Sequence, residues 1–151
     1  TDSLVGSEMC IRDSPKDEKE FNEYDLFRWR LLRKPIGKTI ESLKDEYEDN
    51  SFHLIGVIDN QIVACGRLHF IDDSKAQIRY MAVDEEYQRR GLGTSMLAAL
   101  ESHAKDNNAD KIILNARDHA IKFYTAAKYK ILEKYHGSDT GIPHTTMTKD
   151  I

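Results

Sequence analysis

Hydrophobic positions recur along this chain in two periods. From Asp17 to Arg33 apolar and charged residues alternate at near-helical spacing, with Phe21, Tyr24, Leu26, Phe27 and Leu31 as the apolar members. This predicts a helix that Lys34-Pro35 ends, because a residue before proline avoids the helical region. Ile40, Leu43 and Tyr47 share one side of a second, short helix over Thr39–Tyr47. Three strands follow, Phe52–Ile58, Ile62–Ile71 and Ala76–Val83, divided by the turn signals Asp59-Asn60 and Asp72-Asp73-Ser74; they read as an antiparallel meander at the centre of a sheet. The period then changes. Leu92, Met96, Leu100 and Ala104 recur every fourth residue with Leu97 beside them, the apolar stripe of a helix facing a sheet, and Asn107-Asn108 ends it. Lys111–Leu114 is short, apolar and β-branched, a buried strand, and the order strand, helix, strand implies a right-handed crossover with parallel pairing. Asp118–Ala127 reads as another helix with Asp118 as its N-cap. Ile131–Tyr135 and Thr145–Thr148 close the chain as strands around the loop Gly137–Pro143. The fold class is α/β (α+β), a mixed and mostly antiparallel sheet flanked by helices.

The 151 residues suit one domain, and the 40% hydrophobic and 32% charged composition is that of a globular chain. That domain is expected over 15–151. Thr1–Ser14 has neither the pattern of a signal peptide nor a clear apolar face, and it reads as a non-native or disordered leader; the alternative is a true first strand over Leu4–Ile11. A net charge of −4 lacks the positive field that phosphate backbones attract, which argues against nucleic acid as a partner. No apolar run is long enough to cross a bilayer as a helix, so no membrane partner is expected. Cys10 and Cys65 form no framework and no metal-type cluster, which points to a reducing, cytoplasmic setting and no metal.

The chemistry concentrates in Tyr80–Thr94. A strand ends at Met81-Ala82-Val83, a charged loop follows, and Gly91 and Gly93 open a helix. Glycines let the backbone turn tightly and approach a ligand. The first amides of a helix have no internal partner and carry the positive end of its dipole, so they suit a phosphate, with Arg89 and Arg90 adding cationic groups. The spacing lacks a third glycine for a dinucleotide site and the Gly-Lys-Ser/Thr of a P-loop. Taken alone it is equally a plain strand-to-helix turn.

Gln88-x-x-Gly91-x-Gly93, the preceding strand ending at Val83-Asp84, the following strand ending at Leu114-Asn115, and Ala120-Ile121-Lys122-Phe123-Tyr124 together resemble the GNAT N-acetyltransferase family. The resemblance runs from Phe21 to Ile151. It implies the GNAT acyl-CoA N-acyltransferase fold, acetyl-CoA as cosubstrate and a small-molecule amine as acceptor, with a protein or peptide amine, or a CoA-binding module without transfer, as alternatives. It also implies residue roles. Gln88, Arg89, Arg90, Gly91, Leu92, Gly93 and Thr94 would hold the pyrophosphate. Met81, Ala82 and Val83 would offer backbone groups to the pantetheine arm and acetyl carbonyl. Asn115 and Phe123 would lie along the cofactor, and Tyr124 would be the general acid. Lys128 stands where the family usually has glycine, so the helix end there is either capped differently or takes a left-handed residue. Proteins of this fold often pair as homodimers, although the sequence carries no interface signal of its own.

The acceptor side is less determined. His69, Asp72, Glu85 and His144 are the candidate bases; the plainer readings are a sheet-face histidine for His69, a turn role for Asp72 and a solvated Glu85. Gly141-Ile142-Pro143-His144 and Leu31-Leu32-Arg33-Lys34-Pro35 resemble the ElaA-like subgroup of the family. That resemblance implies that Trp29, Arg33 and His144 meet at an acceptor cleft; the plainer and equal reading is that Arg33-Lys34-Pro35 ends a helix and Pro143-His144 makes a turn. Arg79 and Tyr80, on the central strand, face either that cleft or solvent.

Overall fold

The Asp59-Asn60 turn sets the centre of the sheet. Both residues take positive φ, +49° and +64°, the two-residue hairpin turn whose twist matches its flanking strands. It joins β3 (Phe52–Ile58) to β4 (Gln61–Phe70) through the pair Ile58↔Gln61. Asp72 then folds the chain into β5 (Lys75–Val83), its Oδ1 accepting from the amides of Ser74 and Lys75 at 2.9 and 2.8 Å. The computed structural model describes residues 3–5, as backbone, and 9–138 and 140–151. Counted with β1 (Ser3–Val5), β2 (Met9–Asp13), β6 (Lys111–Arg117), β7 (Lys130–Tyr135) and β8 (His144–Asp150), the sheet has eight strands among the described residues, in the order β1-β2-β3-β4-β5-β6-β8-β7. Every pairing is antiparallel except β5 with β6.

Within the leader expected over 1–14, residues 1, 2 and 6–8 lie outside the described residues. Met9–Asp13 pairs with β3, and the Met9 side chain is fully buried, its sulfur occupying the space left by the missing side chain of Gly56.

Two layers of helix cover the sheet. On one face α2 (Leu92–Asp106) seats its predicted stripe of Leu92, Met96, Leu97, Leu100 and Ala104 against Leu54, Leu68 and Ile78. It ends where the Asn pair requires, with Asn108 left-handed at φ +73° and the Ala109 amide reaching back to the Ala104 carbonyl. On the other face α1 (Glu18–Arg28), capped by Asp17, packs Tyr24 and Phe27 on Ile55 and Cys65. The predicted helix over Asp17–Arg33 continues past Arg28 as a π turn, Trp29–Arg33, then a 3₁₀ turn, Lys34–Ile36. The second helix expected over Thr39–Tyr47 is instead one 3₁₀ turn, Ile40–Leu43, with another, Glu48–Asn50, after it; one apolar side of three residues does not sustain an α-helix when its polar neighbours are drawn into tertiary ion pairs. Asp118 is not a helix cap either. It lies inside a 3₁₀ turn, Asp118–Ala120, that leads into α3 (Ile121–Ala126). Lys128 takes the left-handed conformation, φ +77°, with the Tyr129 amide bonded to the Tyr124 carbonyl at 3.0 Å, which resolves the missing glycine by accepting strain.

Between α1 and the sheet runs a buried chain of ions that the sequence did not announce. Arg28 and Arg67 are both fully buried. Glu48 bridges them, accepting from Arg28 at 3.1 and 2.7 Å and from Arg67 at 3.0 Å. Asp45 takes both ends of Arg67 at 2.9 and 2.7 Å and also Arg79 at 2.7 Å, while Asp25 and Lys44 close the other end. Burial pushes the Glu48 carboxyl up, but the hydrogen bonds and charge of Arg28, with Arg67 behind them, bring it down to about 2 from 4.5. A carboxyl depressed on folding contributes stability that is complete above about 4.5 and lost as pH falls toward 2, on the order of 3 kcal/mol for a shift of this size. Glu48→Gln is therefore expected to destabilise the protein by about 3 kcal/mol at pH 7, since it takes one of two carboxylates from each buried guanidinium and leaves Arg28 with Asp25 and Arg67 with Asp45. The loss should shrink as pH drops through that window. Equal urea midpoints for the variant and parent at pH 7 would remove the network from the stability account.

Candidate active site

The parallel ladder between β5 and β6 is short. It runs from Lys75↔Lys111 to Ile78↔Leu114 and stops, although β5 continues to Val83 and β6 to Arg117, each still paired on its outer side. The break has a local cause. Cys65 and Arg67 of β4 align with Ala82 and Arg79 of β5, so β5 carries one extra residue. Tyr80 takes φ +54° there, and the Cys65 thiol donates to its carbonyl at 3.1 Å. Such a bulge bends and twists its strand and turns β5 away from β6. Gly66 sits opposite, where a Cβ would come within 2.7 Å of Leu100 Cδ1, so α2 approaches the sheet closely at this point. The Asp84 amide bonds to the Val63 carbonyl on the β4 side. Alternation along the strand then aims the backbone groups of Val83 and Met81 at the opening. A cleft of about 900 Å³ occupies it.

One end of the cleft is the loop before α2. Arg89 and Gly91 are both left-handed, φ +66° and +78°, and no side chain caps the helix. The first amide returned to the chain is that of Ser95, bonded to the Gly91 carbonyl at 3.1 Å. The amides of Leu92, Gly93 and Thr94 are thus the uncompensated start of a fifteen-residue helix, an arrangement suited to an anion. No atom lies within 4 Å of where a Gly91 Cβ would stand, while a Gly93 Cβ would touch the Phe123 ring at 3.4 Å. The Gln88 side chain is committed inward, its Nε2 donating to the Val83 carbonyl at 3.0 Å, so it ties the loop to the strand end. Arg89 lines the cleft. Arg90 does not, and lies over the Tyr87 ring at 5.2 Å.

Along the middle of the cleft stand Met81, Ala82, Asn115, Phe123 and Tyr124. Asn115 Oδ1 accepts from Thr146 Oγ1 at 2.7 Å, which fixes its orientation. The Tyr124 hydroxyl points to the Met81 sulfur at 3.7 Å, and its ring is held edge-on by Phe123 and Tyr129. Burial pushes the phenol up to about 12, so it is a proton donor throughout the neutral range.

The far end gathers Arg33, His69, Arg79 and His144. His69 is 97% buried and stacks flat on Tyr47 at 4.0 Å. The His144 Nδ1 bonds the Ile142 carbonyl at 2.8 Å. Trp29 is not brought there: its indole donates to the Lys38 carbonyl at 2.9 Å and it lines a separate, shallower hollow, so the expected meeting with Arg33 and His144 does not form. The π turn explains this, because it rotates Leu31, Leu32 and Arg33 into the cleft and Trp29 out. Asp72 serves its turn, and Glu85 lines the cleft near the Gln88 loop. Arg117 also reaches the cleft, its Nη2 donating to the Leu32 carbonyl at 3.1 Å. Sequence reasoning passed over it, although its place two residues beyond Asn115 on one strand puts both side chains on the same face.

Burial, then the charges of Arg67 and Arg79, hold the His69 imidazole down to about 4 from 6.5. A histidine kept neutral by the fold contributes stability that is complete above about 6.5 and lost as pH falls toward 4. The ring-proton NMR signal of His69 is therefore expected to titrate near pH 4, and a midpoint above 6 would contradict this environment.

The comparisons with known proteins agree with this architecture. Residues 11–129 match the acetyltransferase (GNAT) family. ElaA of Escherichia coli is 15% identical over 94% of this chain and 99% of its own, with a TM-score of 0.73. A GNAT family acetyltransferase from Elizabethkingia anophelis, solved with acetyl-CoA bound, is 20% identical over 97% and 100%, with a TM-score of 0.70. An aminoglycoside 6'-N-acetyltransferase complexed with coenzyme A is 15% identical over 93% and 96%, at 0.77. At these identities the structures speak for the fold, and the match across most of the sequence speaks for the family: the chain belongs to the GNAT acetyltransferases and is an acyl-CoA-dependent transferase.

Proposed function

We propose that this protein transfers an acetyl group from acetyl-CoA to a primary amine of a small molecule by direct attack, with Tyr124 as general acid. The observation that carries the reading is the Tyr124 hydroxyl, a protonated phenol in the cleft where β5 and β6 part, beside Met81. Acetyl-CoA supplies an activated thioester. The uncapped amides of Leu92, Gly93 and Thr94 suit its pyrophosphate, with the Arg89 guanidinium beside them, and Gly91 leaves the space that a phosphate would need. Phe123 and Asn115 line the path between loop and acceptor end.

The transfer forms a carbon–nitrogen bond and breaks the carbon–sulfur bond; the nitrogen releases one proton to solvent, and that balances the proton Tyr124 gives to sulfur and later regains. Negative charge gathers first on the carbonyl oxygen and then on sulfur. The Val83 or Met81 amide, aimed into the opening, is the donor available for the oxygen. Tyr124 holds the proton for the sulfur. Burial alone holds that proton on the phenol through the neutral range.

Tyr124→Phe is expected to leave acetyl-CoA affinity unchanged and lower kcat about 10² to 10⁴-fold, read by thiol release and by calorimetry; full turnover in this variant would end the role given to Tyr124. Gly91→Trp is expected to weaken acetyl-CoA binding at least about tenfold, seen as loss of the ligand-induced rise in unfolding midpoint. Gly91→Asn tolerates the left-handed backbone with a small side chain and separates strain from obstruction. Unchanged affinity in Gly91→Trp would move the pyrophosphate elsewhere.

A further inference from the structure

Resting on the transferase reading above, we propose that the acceptor carries a carboxylate beside its amine, and that Arg79 and Arg117 bind that carboxylate at the acceptor end of the cleft, with Tyr80 and His69 completing its hydrogen bonds.

Charge balance gives the first reason. The ion chain under the sheet holds four cations, Arg28, Lys44, Arg67 and Arg79, against three carboxylates, Asp25, Asp45 and Glu48. One positive charge is left over. The buried members cannot express it, since each of Arg28 and Arg67 is bound by two carboxylates. Arg79 makes a single bond, to Asp45, keeps 42% of its side chain exposed and lines the cleft. Lys44, the other exposed cation, is held by both Asp25 and Glu48 and does not line the cleft, so the charge that reaches the cleft is that of Arg79. Arg117, half-buried across the opening, donates to a backbone carbonyl, and no carboxylate among the described residues lies within ion-pair distance of it. Glu85 is the one acidic side chain among the described lining residues, and it adjoins the Gln88 loop at the other end.

Unmet hydrogen bonds give the second, independent reason. The Tyr80 hydroxyl and both ring nitrogens of His69 are buried with no hydrogen bond of good geometry, although the Gln77 side chain stands near His69, and Tyr80 and His69 both line the cleft. A buried polar group left unpaired costs about 1–3 kcal/mol, and three such atoms at one end of one cleft mark a place where a polar ligand replaces the missing partners. A phenol and a neutral imidazole each offer a donor to an anion, and the second imidazole nitrogen accepts from an amine.

The two observations select a class of acceptor. A polyamine would meet the Arg79 and Arg117 charges head-on. An amino acid fits them: its carboxylate engages the guanidinium groups by charge-assisted hydrogen bonds, and its amine stands in a positive environment. Positive neighbours disfavour the ammonium form, so the wall that binds the carboxylate also favours the neutral, attacking amine. A separate strong base is then not required of His69.

The test is the rate of thiol release from acetyl-CoA with a panel of amino acids, each beside its own carboxamide, and with spermidine as the polycation. The carboxamide's amine is the less basic and the more available for attack, so a preference for the acid arises from binding. The expected result is a kcat/KM at least about tenfold higher for the acids, carried by KM. Arg79→Gln should abolish that preference by raising KM for the acids alone, and Arg79→Lys should keep much of it. The acetyl-CoA dissociation constant, measured by calorimetry, should stay unchanged in both variants. Carboxamides used as well as acids, spermidine as the best acceptor, an acid preference that survives Arg79→Gln, or no turnover of any panel member while acetyl-CoA binds would each overturn the proposal. Failure of the parent protein to bind acetyl-CoA would instead overturn the transferase reading, and this inference with it.

Discussion

The extra residue in β5 is the constraint from which the site follows. A sheet gains by continuing every ladder it starts, and β5 and β6 are both long enough to stay paired beyond Ile78 and Leu114. They separate because Tyr80 occupies a left-handed bulge opposite Gly66, a conformation that a bulky residue keeps only when its surroundings enforce it. The enforcement is visible: the Cys65 thiol holds the Tyr80 carbonyl, and three guanidinium groups, those of Arg28, Arg67 and Arg79, lie within 5.6 Å of the Tyr80 ring centroid. The ion chain and the bulge are thus one construction. The two buried charges, Arg28 and Arg67, hold the ring, the ring holds the bulge, and the bulge opens the sheet, while Arg79 extends to the cleft.

This coupling explains why a protein of modest size buries two arginines. Replacing a buried ion network by apolar residues often costs nothing in stability, so stability alone does not account for it. Here the network has a positional task, because an apolar substitute would pack against Tyr80 without dictating where its backbone turns. The network also delivers Arg79 to the cleft, so scaffold and acceptor end share their charged groups.

The elements legible in the sequence were those with a local cause. The Asp59-Asn60 hairpin, the α2 stripe ending at Asn108 and the left-handed residue at Lys128 each rest on neighbours within a few positions. The loop from Gln88 to Thr94 was legible for the same reason, being one turn feeding one helix. What stayed hidden depends on partners far away in the chain. Glu48 and Arg67 look like ordinary surface charges until Arg28 is placed beside them, and the short helix expected over Thr39–Tyr47 gives way because Asp45 and Glu48 are committed to those arginines. Trp29 was assigned to the cleft through the resemblance of its neighbourhood to the ElaA-like subgroup, and its indole is instead drawn to the Lys38 carbonyl beside a separate hollow. Arg117 was passed over because its importance comes from the π-turn carbonyl it meets, 85 residues earlier in the chain.

The parting of β5 from β6 leaves strand-edge backbone groups without a ladder partner beyond Ile78 and Leu114, although Gln88 already takes the Val83 carbonyl. A narrow, extended ligand laid into that seam takes the place of a missing strand, so binding there continues a ladder that folding left unfinished. The two strands, held apart on their outer sides by β4 and β8, then become parts of one cooperative unit rather than two. The slow-exchanging amide core of the protein would accordingly reach across the seam only in the loaded state, and the protein's rigidity would come and go with each turnover.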